Sequence, residues 1–339
     1  MSTMQDVAKK AGVSKATVSR VLSGKGYVSE ATRQQVFAAI EAAGYRPNLL
    51  ARNLATNKSQ CIGMVVTNTL YSGSYFSEIL SQAAKKVEES GRQLILVDGK
   101  HSAQQEREAI EFLLDLRCDA IILYPRFLSI SEMDEIIEQT RQPIVVVNRR
   151  LRKHPSHAVF CDHQQSACNA TLALIERGHR HIAFITGALD SPTAQERLNG
   201  YKQAISRADI PVEPQRIIEG KWTPACGVRA IASLLERRVT FSAVIASNDD
   251  MAIGALKQLA RAGIHVPQQV SLLGFDDHPI APFLLPALSS VKDPVTEMIH
   301  EVINRIISML DGGDMLPQKT LVSGLVLRES VADAPGTTR

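Results

Sequence analysis

From about residue 60 the chain alternates between two hydrophobic rhythms, and that alternation restricts the fold more than any other feature. Short apolar runs appear at CIGMVVT (61–67), QLILVD (93–98), DAIILYP (119–125), PIVVVN (143–148), HAVFCD (157–162), HIAFITG (181–187), RIIEG (216–220), SAVIAS (242–247) and VSLLGFD (270–276). Amphipathic stretches with helical spacing separate them, such as FSEILSQAAKKVEES, QQEREAIEFLLDL, QQSACNATLALIERG and DMAIGALKQLARAG. Strands that alternate with helices build parallel sheets covered on both faces. Nine such runs exceed what one compact lobe usually holds, so the expected fold is α/β with two doubly wound parallel-sheet lobes. The expected first lobe spans 60–161 and 292–320, and the second spans 162–291 and 321–330. The last segment, VADAPGTTR (331–339), is polar and lacks leucine heptads, so it reads as a flexible tail and not a tetramerising coil.

Ligands of open α/β sheets bind beyond the carboxyl ends of the strands. That rule selects the residues just after the apolar runs, namely Asn68, Arg126, Asn148, Asp162, Asp190, Asn248 and Asp276. Two lobes facing each other with such residues form a cleft suited to a polyhydroxylated molecule. Trp222 in GKWTPA is the sole tryptophan, and its ring can stack on the C–H face of a pyranose. Packing in a core is the plainer role for such a residue.

Ahead of this body, TMQDVAKKAGVSKATVSRVL (3–22) reads as a helix, a tight turn and a second helix. Met4, Val7, Ala8 and Ala11 share one helical face, Gly12 ends that helix, and Ser14 is suited to cap the next. Val18, Val21 and Leu22 face inward on the second helix, while Ala16 and Arg20 point the other way, flanked by Lys15, Thr17 and Ser19. A third helix is expected to open at Ser29, pack through Val36, Phe37, Ile40 and Ala43, and end near Gly44. The bounds are 1–46 for this all-α headpiece and 47–59 for a linker. Residues 1–58 hold five lysines and four arginines against one aspartate and two glutamates, a formal +6, whereas the remainder carries −3. Such asymmetry is the electrostatic footprint of a DNA-binding headpiece.

Other classes fit less well. MSTMQDVAKK has no apolar h-region, and no run of about 18 apolar residues marks a membrane span, which argues against a periplasmic solute-binding protein. The five cysteines are scattered without a C-x-x-C pair, as expected of reduced thiols in a cytoplasm and not of a zinc or disulfide framework. No G-x-S-x-G pairs the histidines with a nucleophile, and neither G-x-G-x-x-G nor a P-loop is present. No catalytic residue, cofactor or metal is therefore expected.

DVAKKAGVSKATVSRVL, VSEATRQQV and YRPNLLARNL, in that order and spacing, resemble the headpiece of the LacI/GalR family of bacterial transcription regulators. SPTAQERLNGY, ASNDDMAIGALKQL and VSLLGFDD resemble that family's effector core, which is similar to periplasmic sugar-binding proteins. The resemblance implies a homodimeric repressor whose second helix reads a pseudo-palindromic operator. Lys15, Ala16 and Arg20 would face bases, with Thr17 and Ser19 holding phosphates or register, and Thr3, Ser14, Ser29, Thr32 and Tyr45 complete the headpiece contacts. NLLARNLAT (48–56) is too short for a stable isolated helix in water. The resemblance makes it a hinge helix that folds on the minor groove, with Leu54 as the wedge and Asn48, Ala51 and Arg52 lining the contact.

In the core it implies that Arg197, Asn248 and Asp276 fix the hydroxyls of a sugar. Tyr75 and Phe76 would stand at the cleft mouth, Asn148 and Asp162 in its wall, and Asp293 beside them. Taken without the resemblance, Arg197 reads equally as a helix-surface ion pair, and Asp249 and Asp250 as a helix start. ARNLATNKSQ, GKHSA, YPRFLS, NRRLRK and PALSSVKDPVTEMI are most similar to family members that answer to β-glucosides, which implies such an effector. A purine effector is the competing expectation within the family, and Arg149 argues against the double aromatic stacking that a purine needs.

Overall fold

The computed structural model describes residues 2–23, 26–45, 59–67, 73–314 and 316–336. The chain separates into two compact units, Met1–Gln60 and Cys61–Arg339.

The first unit is three helices, α1 (Met4–Lys10), α2 (Lys15–Ser23) and α3 (Glu30–Ala43). Local chemistry sets each boundary. The Thr3 hydroxyl accepts from the Asp6 N–H while the Asp6 carboxylate accepts from the Thr3 N–H, a reciprocal cap at the start of α1. Gly12 turns the chain at φ +63°, and Val13 N–H returns to the Ala8 carbonyl at 3.0 Å. Ser14 caps α2 by accepting from Thr17 N–H at 3.1 Å. Val7, Ala8, Ala11, Val18, Val21, Val36 and Ala39 close the core. Phe37, expected inside, is 51 % exposed. The inward face of α3 runs through Val36, Ala39, Ile40 and Ala43, which leaves position 37 turned outward. Residues 46–58, which include the expected hinge residues Asn48, Ala51, Arg52 and Leu54, lie outside the described residues, as does Asn68.

The second unit holds two six-stranded sheets. The first contains β1 (Cys61–Val66), β2 (Gln93–Asp98), β3 (Ala120–Tyr124), β4 (Ile144–Val147), β5 (Ala158–Cys161) and β11 (Lys319–Leu321), in the order β11-β5-β4-β3-β1-β2. The second contains β6 (Ile182–Thr186), β7 (Ile217–Glu219), β8 (Ala243–Ala246), β9 (Ser271–Phe275), β10 (Ser289–Lys292) and β12 (Gly324–Val326), in the order β12-β10-β9-β8-β6-β7. All pairings are parallel except β10 with β12. On the first sheet α4 (Ser74–Glu89) and α11 (Val295–Leu310) cover one face, and α5 (Ala103–Asp115) and α6 (Ile130–Gln139) the other. Strand β3 shows why its run is continuously apolar. Ala120, Ile122 and Tyr124 enter one core while Ile121 and Leu123 enter the opposite one. The second sheet is covered likewise by α7 (His163–Ile175) with α8 (Pro192–Arg207), and by α9 (Pro224–Glu236) with α10 (Asp249–Arg261).

The chain passes between the sheets at Asp162, at Asp293 and at Val322–Ser323. Lys292 closes β10 in the second sheet and Leu321 closes β11 in the first, each one residue from the boundary expected from sequence. The expected flexible tail is docked as far as Ala334. Ala332 N–H donates to the Ser271 hydroxyl at 3.0 Å, its carbonyl meets His179 Nε2 at 3.0 Å, and Ala334 N–H donates to the Arg177 carbonyl at 2.8 Å. Polar composition misled there because the attachment is made by the backbone.

Helices α9 and α10 approach at glycines. A Cβ on Gly254 would sit 1.8 Å from the Pro224 carbonyl oxygen, and one on Gly227 would sit 1.9 Å from that of Met251. Both obstacles are backbone, so neither can swing aside. Gly254→Ala is expected to destabilise the core by about 1–3 kcal/mol, the usual range for overpacking. A urea titration of the full chain checks this, and an unchanged midpoint would refute it.

Candidate functional site

The strand ends of both lobes face a cavity of about 830 Å³, open solvent at its mouth included. Its centre is Arg197. The side chain leaves α8 and is only 3 % exposed, so the alternative of a helix-surface ion pair does not hold. Nη2 reaches Asp293 at 2.8 Å and Asp276 at 3.3 Å, Nη1 donates to the Ser247 carbonyl, and the guanidinium lies 4.4 Å from the Phe275 ring centroid. Ser247, Asp276 and Asp293 follow the neighbouring strands β8, β9 and β10, so one arginine gathers three strand ends. Asp276 sits at φ +93°, its N–H held by the Val291 carbonyl at 2.8 Å.

Burial, with Asp293 nearby, lifts the Asp276 carboxyl to about 6 against the pull of Arg197. Burial acts on Asp293 too, but Arg197 and His163 outweigh it and hold that carboxyl below its ordinary value. Burial presses His163 down to about 4 despite Asp293, whose carboxylate stands 3.7 Å from Nδ1.

A second polar chain starts at that histidine. The Asn148 amide donates to Tyr124 Oη at 2.9 Å, so its carbonyl oxygen faces His163 Nε2 at 2.7 Å. An amide oxygen only accepts, which places the His163 proton on Nε2. Tyr124 Oη in turn donates to Tyr75 Oη at 3.4 Å. The crossings between lobes join the same network. Ser323 donates to Asp293 at 2.6 Å, Ser166 donates to Ser323 at 2.9 Å, and Cys161 Sγ lies 3.1 Å from Ser323 Oγ.

Trp222 lines the cavity at φ +64°. Its ring lies against Gly187, where a Cβ would fall 2.0 Å from an indole carbon. Asn248 caps α10 by accepting from Met251 N–H at 3.0 Å and donates to the Trp222 carbonyl at 3.0 Å. Arg126 reaches across the cleft to Asp190 at 2.7 Å. The loop that carries Arg126 is fixed by Glu106, fully buried on α5. Its carboxylate accepts from the N–H groups of Arg126, Phe127 and Leu128 at 2.7, 3.0 and 2.8 Å and from the Thr67 hydroxyl at 2.9 Å.

Of the residues expected in the cleft, Tyr75, Arg126, Asn148, Arg197, Trp222, Asn248 and Asp276 line the cavity. Four do not. Asp162 caps α7 and pairs with Arg150 at 3.0 Å, Asp190 meets the cavity only through its pair with Arg126, Phe76 packs into the first lobe's core, and Asp293 lies behind Arg197. Sequence reasoning did not place Tyr124, His163, Ser191, Thr193 or His278 in the lining, nor Asp249 and Asp250, which begin α10 as read. Asp249 is buried and accepts from Ser290 at 2.8 Å and His278 N–H at 2.7 Å, and burial lifts its carboxyl well above the ordinary range.

On the headpiece, Lys15, Ala16, Ser19 and Arg20 are exposed along α2, with Thr17 half-buried. Ser14 and Thr17 share a hydroxyl contact of 2.9 Å, and Ser29 and Thr32 one of 2.8 Å at the start of α3. Thr3 is engaged with Asp6, and Tyr45 packs against the headpiece core.

A family profile described as bacterial regulatory proteins, lacI family, matches residues 3–48, and a periplasmic binding protein-like domain matches residues 171–331. The HTH-type transcriptional regulator AscG of Escherichia coli K12 is 61 % identical over 331 residues, covering 98 % of both chains. The chain belongs to the lacI family of bacterial regulatory proteins. It is a DNA-binding transcriptional repressor and not an enzyme. Among solved lacI-family structures, the lac repressor dimer bound to operator and the anti-inducer ONPF superposes with a TM-score of 0.88 at 26 % identity, covering 98 % of this chain and 99 % of that one. A transcriptional regulator CelR–cellobiose complex gives 0.71 at 29 % identity, with coverage of 97 % and 100 %. The lacI-family fold thus accounts for the helical headpiece and for both parallel-sheet lobes. No described helix is long and apolar enough to cross a membrane.

Proposed function

We propose that this protein is a cytoplasmic, homodimeric repressor whose affinity for a pseudo-palindromic operator changes when a β-glucoside-type sugar enters the interlobe cavity. One observation carries the effector reading. A buried guanidinium clamped by two aspartates, with Asp276 and Trp222 both lining the cavity, offers a carboxylate for hydroxyls and an aromatic ring for C–H groups. The likeness to the CelR–cellobiose complex supports the sugar class, and the likeness to the lac repressor dimer on operator supports dimeric DNA binding. Phe283 and Leu285, 78 % and 91 % exposed, supply apolar surface that a second copy would cover. Asp162, Phe76 and Asp293 act behind the contact surface, and Lys15, Ala16 and Arg20 read base edges. Effector binding rearranges the lobes and releases the hinge segments from the minor groove. A coupling of about 1–3 kcal/mol changes operator affinity by about 5- to 150-fold.

Arg20→Ala is expected to cost roughly 1–3 kcal/mol of specific binding. Fluorescence anisotropy against operator and random duplex decides the assignment, since equal loss on both would make Arg20 a phosphate contact.

The effector site is tested through Asp276. Cellobiose is expected to lower the operator affinity of the native chain, and to have no such effect on Asp276→Ala. A normal cellobiose response in that variant would overturn the assignment. Hydroxyl donors need the carboxylate form, so cellobiose affinity is expected to fall as pH drops from 7 towards 5, through the Asp276 value near 6. Stability runs the other way. The native state keeps a proton that the unfolded chain releases near 3.8, so this contribution is present at low pH and is lost as pH rises through about 6.

A further inference from the structure

Arg149 stands apart from the other cations of the cavity. Arg197 has Asp276 and Asp293, and Arg126 has Asp190. Arg149 lines the same cavity, donates through Nη1 to the Asn148 carbonyl at 2.7 Å, and has no ion-pair partner among the described residues. Two carboxylates act on it from a distance, Glu196 and Glu106. Glu106 is already saturated by its four donors, and Glu196 lies beyond ion-pair distance. Burial presses the guanidinium below its ordinary value. A neutral sugar entering the cavity would strip more water from this charge and return only hydroxyl acceptors without a compensating negative charge, and a desolvated charge is unfavourable unless paired.

The surroundings of Arg149 suit an anion. Arg126 and Arg149 follow the adjacent strands β3 and β4 of the first lobe. The second lobe contributes the first turn of α8, a sixteen-residue helix whose N-cap, Ser191, makes no side-chain cap bond. Ser191 and Thr193 both line the cavity. An open helix N-terminus combines donors with a positive dipole end, and a guanidinium fork matches the geometry of a phosphate edge.

We propose that the effector is an anionic sugar, a phosphate monoester of a β-glucoside, with its phosphate held by Arg149 and Arg126 against the open first turn of α8. The inference rests on the cavity being the effector site. It adds a charge requirement to the Arg197–Asp276 recognition of hydroxyls. Asp190 holds Arg126 until the phosphate competes for it.

Isothermal titration of the full-length protein with methyl β-glucoside, its 6-phosphate and methyl β-glucuronide tests this. The 6-phosphate is expected to bind about tenfold or more tightly than the neutral glycoside, the scale of one or two charge-assisted hydrogen bonds. In Arg149→Gln the ratio of the two affinities falls towards one, and Arg149→Lys keeps part of it. Equal binding of the neutral and phosphorylated glycosides overturns the proposal. So does a glucuronide as tight as the ester, or an Arg149→Gln variant that weakens both glycosides alike. A neutral glycoside that binds best and releases operator would remove the charge requirement while leaving the sugar-responsive repressor standing. Failure of every sugar to bind the native chain would remove both.

Discussion

Arg197→Met is expected to destabilise the effector core by about 3–5 kcal/mol, the usual result of removing one partner from a buried ion pair. Methionine fills a similar volume and keeps contact with the Phe275 ring. It leaves Asp276 and Asp293 facing each other without a cation, and strands the Ser247 carbonyl. The pH dependence is diagnostic. In the native chain the Asp293 carboxyl is held below its ordinary value, so its stabilisation is present at neutral pH and is lost only as pH falls through that depressed value. Without Arg197 burial loses its main opponent at both carboxyls, with only His163 and the Ser323 hydroxyl still favouring the charged Asp293, so both carboxyls take up protons more readily in the folded state. The deficit of the variant is therefore expected to be largest near pH 7 and to shrink towards pH 4. Urea titrations at both pH values measure it, and a deficit independent of pH would show that packing, not charge, was lost. Response to effector should disappear with the same substitution.

Glu106→Ala is expected to be comparably damaging, although Glu106 does not line the cavity. Its carboxylate is the acceptor for three successive backbone amides and one hydroxyl. Each stranded amide is worth about 1–3 kcal/mol, so the loss from the three is on the order of 3–9 kcal/mol. The functional effect follows from the loop. Arg126 N–H is one of those amides, and the Arg126 side chain both lines the cavity and crosses it to Asp190. Hydrogen exchange at residues 126–128 should accelerate in this variant more than exchange in the β3 strand itself. Uniform acceleration across the lobe would mean that Glu106 holds the whole lobe together rather than this one loop.

Periodicity made the architecture legible where burial is two-sided. All nine apolar runs are strands, because a strand between two helical layers is apolar on both faces over most of its length. The strands not read from sequence are SSVK, KTL and GLV, which form β10, β11 and β12. Two of them are edge strands, and β10 buries Ser289 and Ser290 completely by satisfying their hydroxyls with Arg328 N–H and Asp249. Composition cannot distinguish a serine satisfied inside a sheet from one in a loop.

The cleft was legible to the depth of one residue. The strand-end rule names the first residue after each run and stops there. The cavity also takes the next one or two residues, so Arg149 follows Asn148, His163 follows Asp162, and Asp249 and Asp250 follow Asn248. Those second positions lie in a helix's first turn or in the irregular segment that follows a strand, which strand periodicity does not describe. Glu106 did leave a signal. It falls four and seven residues before Ile110 and Leu113, on the apolar face of α5, and a carboxylate on such a face has to be satisfied from inside the protein.

The Ser323–Asp293–Arg197 linkage joins the pivot of the receptor to its recognition centre. A descendant that changes Arg197 or Asp293 to accept another metabolite would alter the pivot at the same stroke, gaining affinity and losing response together. New tastes are easier to acquire at the periphery, where Trp222 and Arg149 can be exchanged without touching any of the three connecting strands.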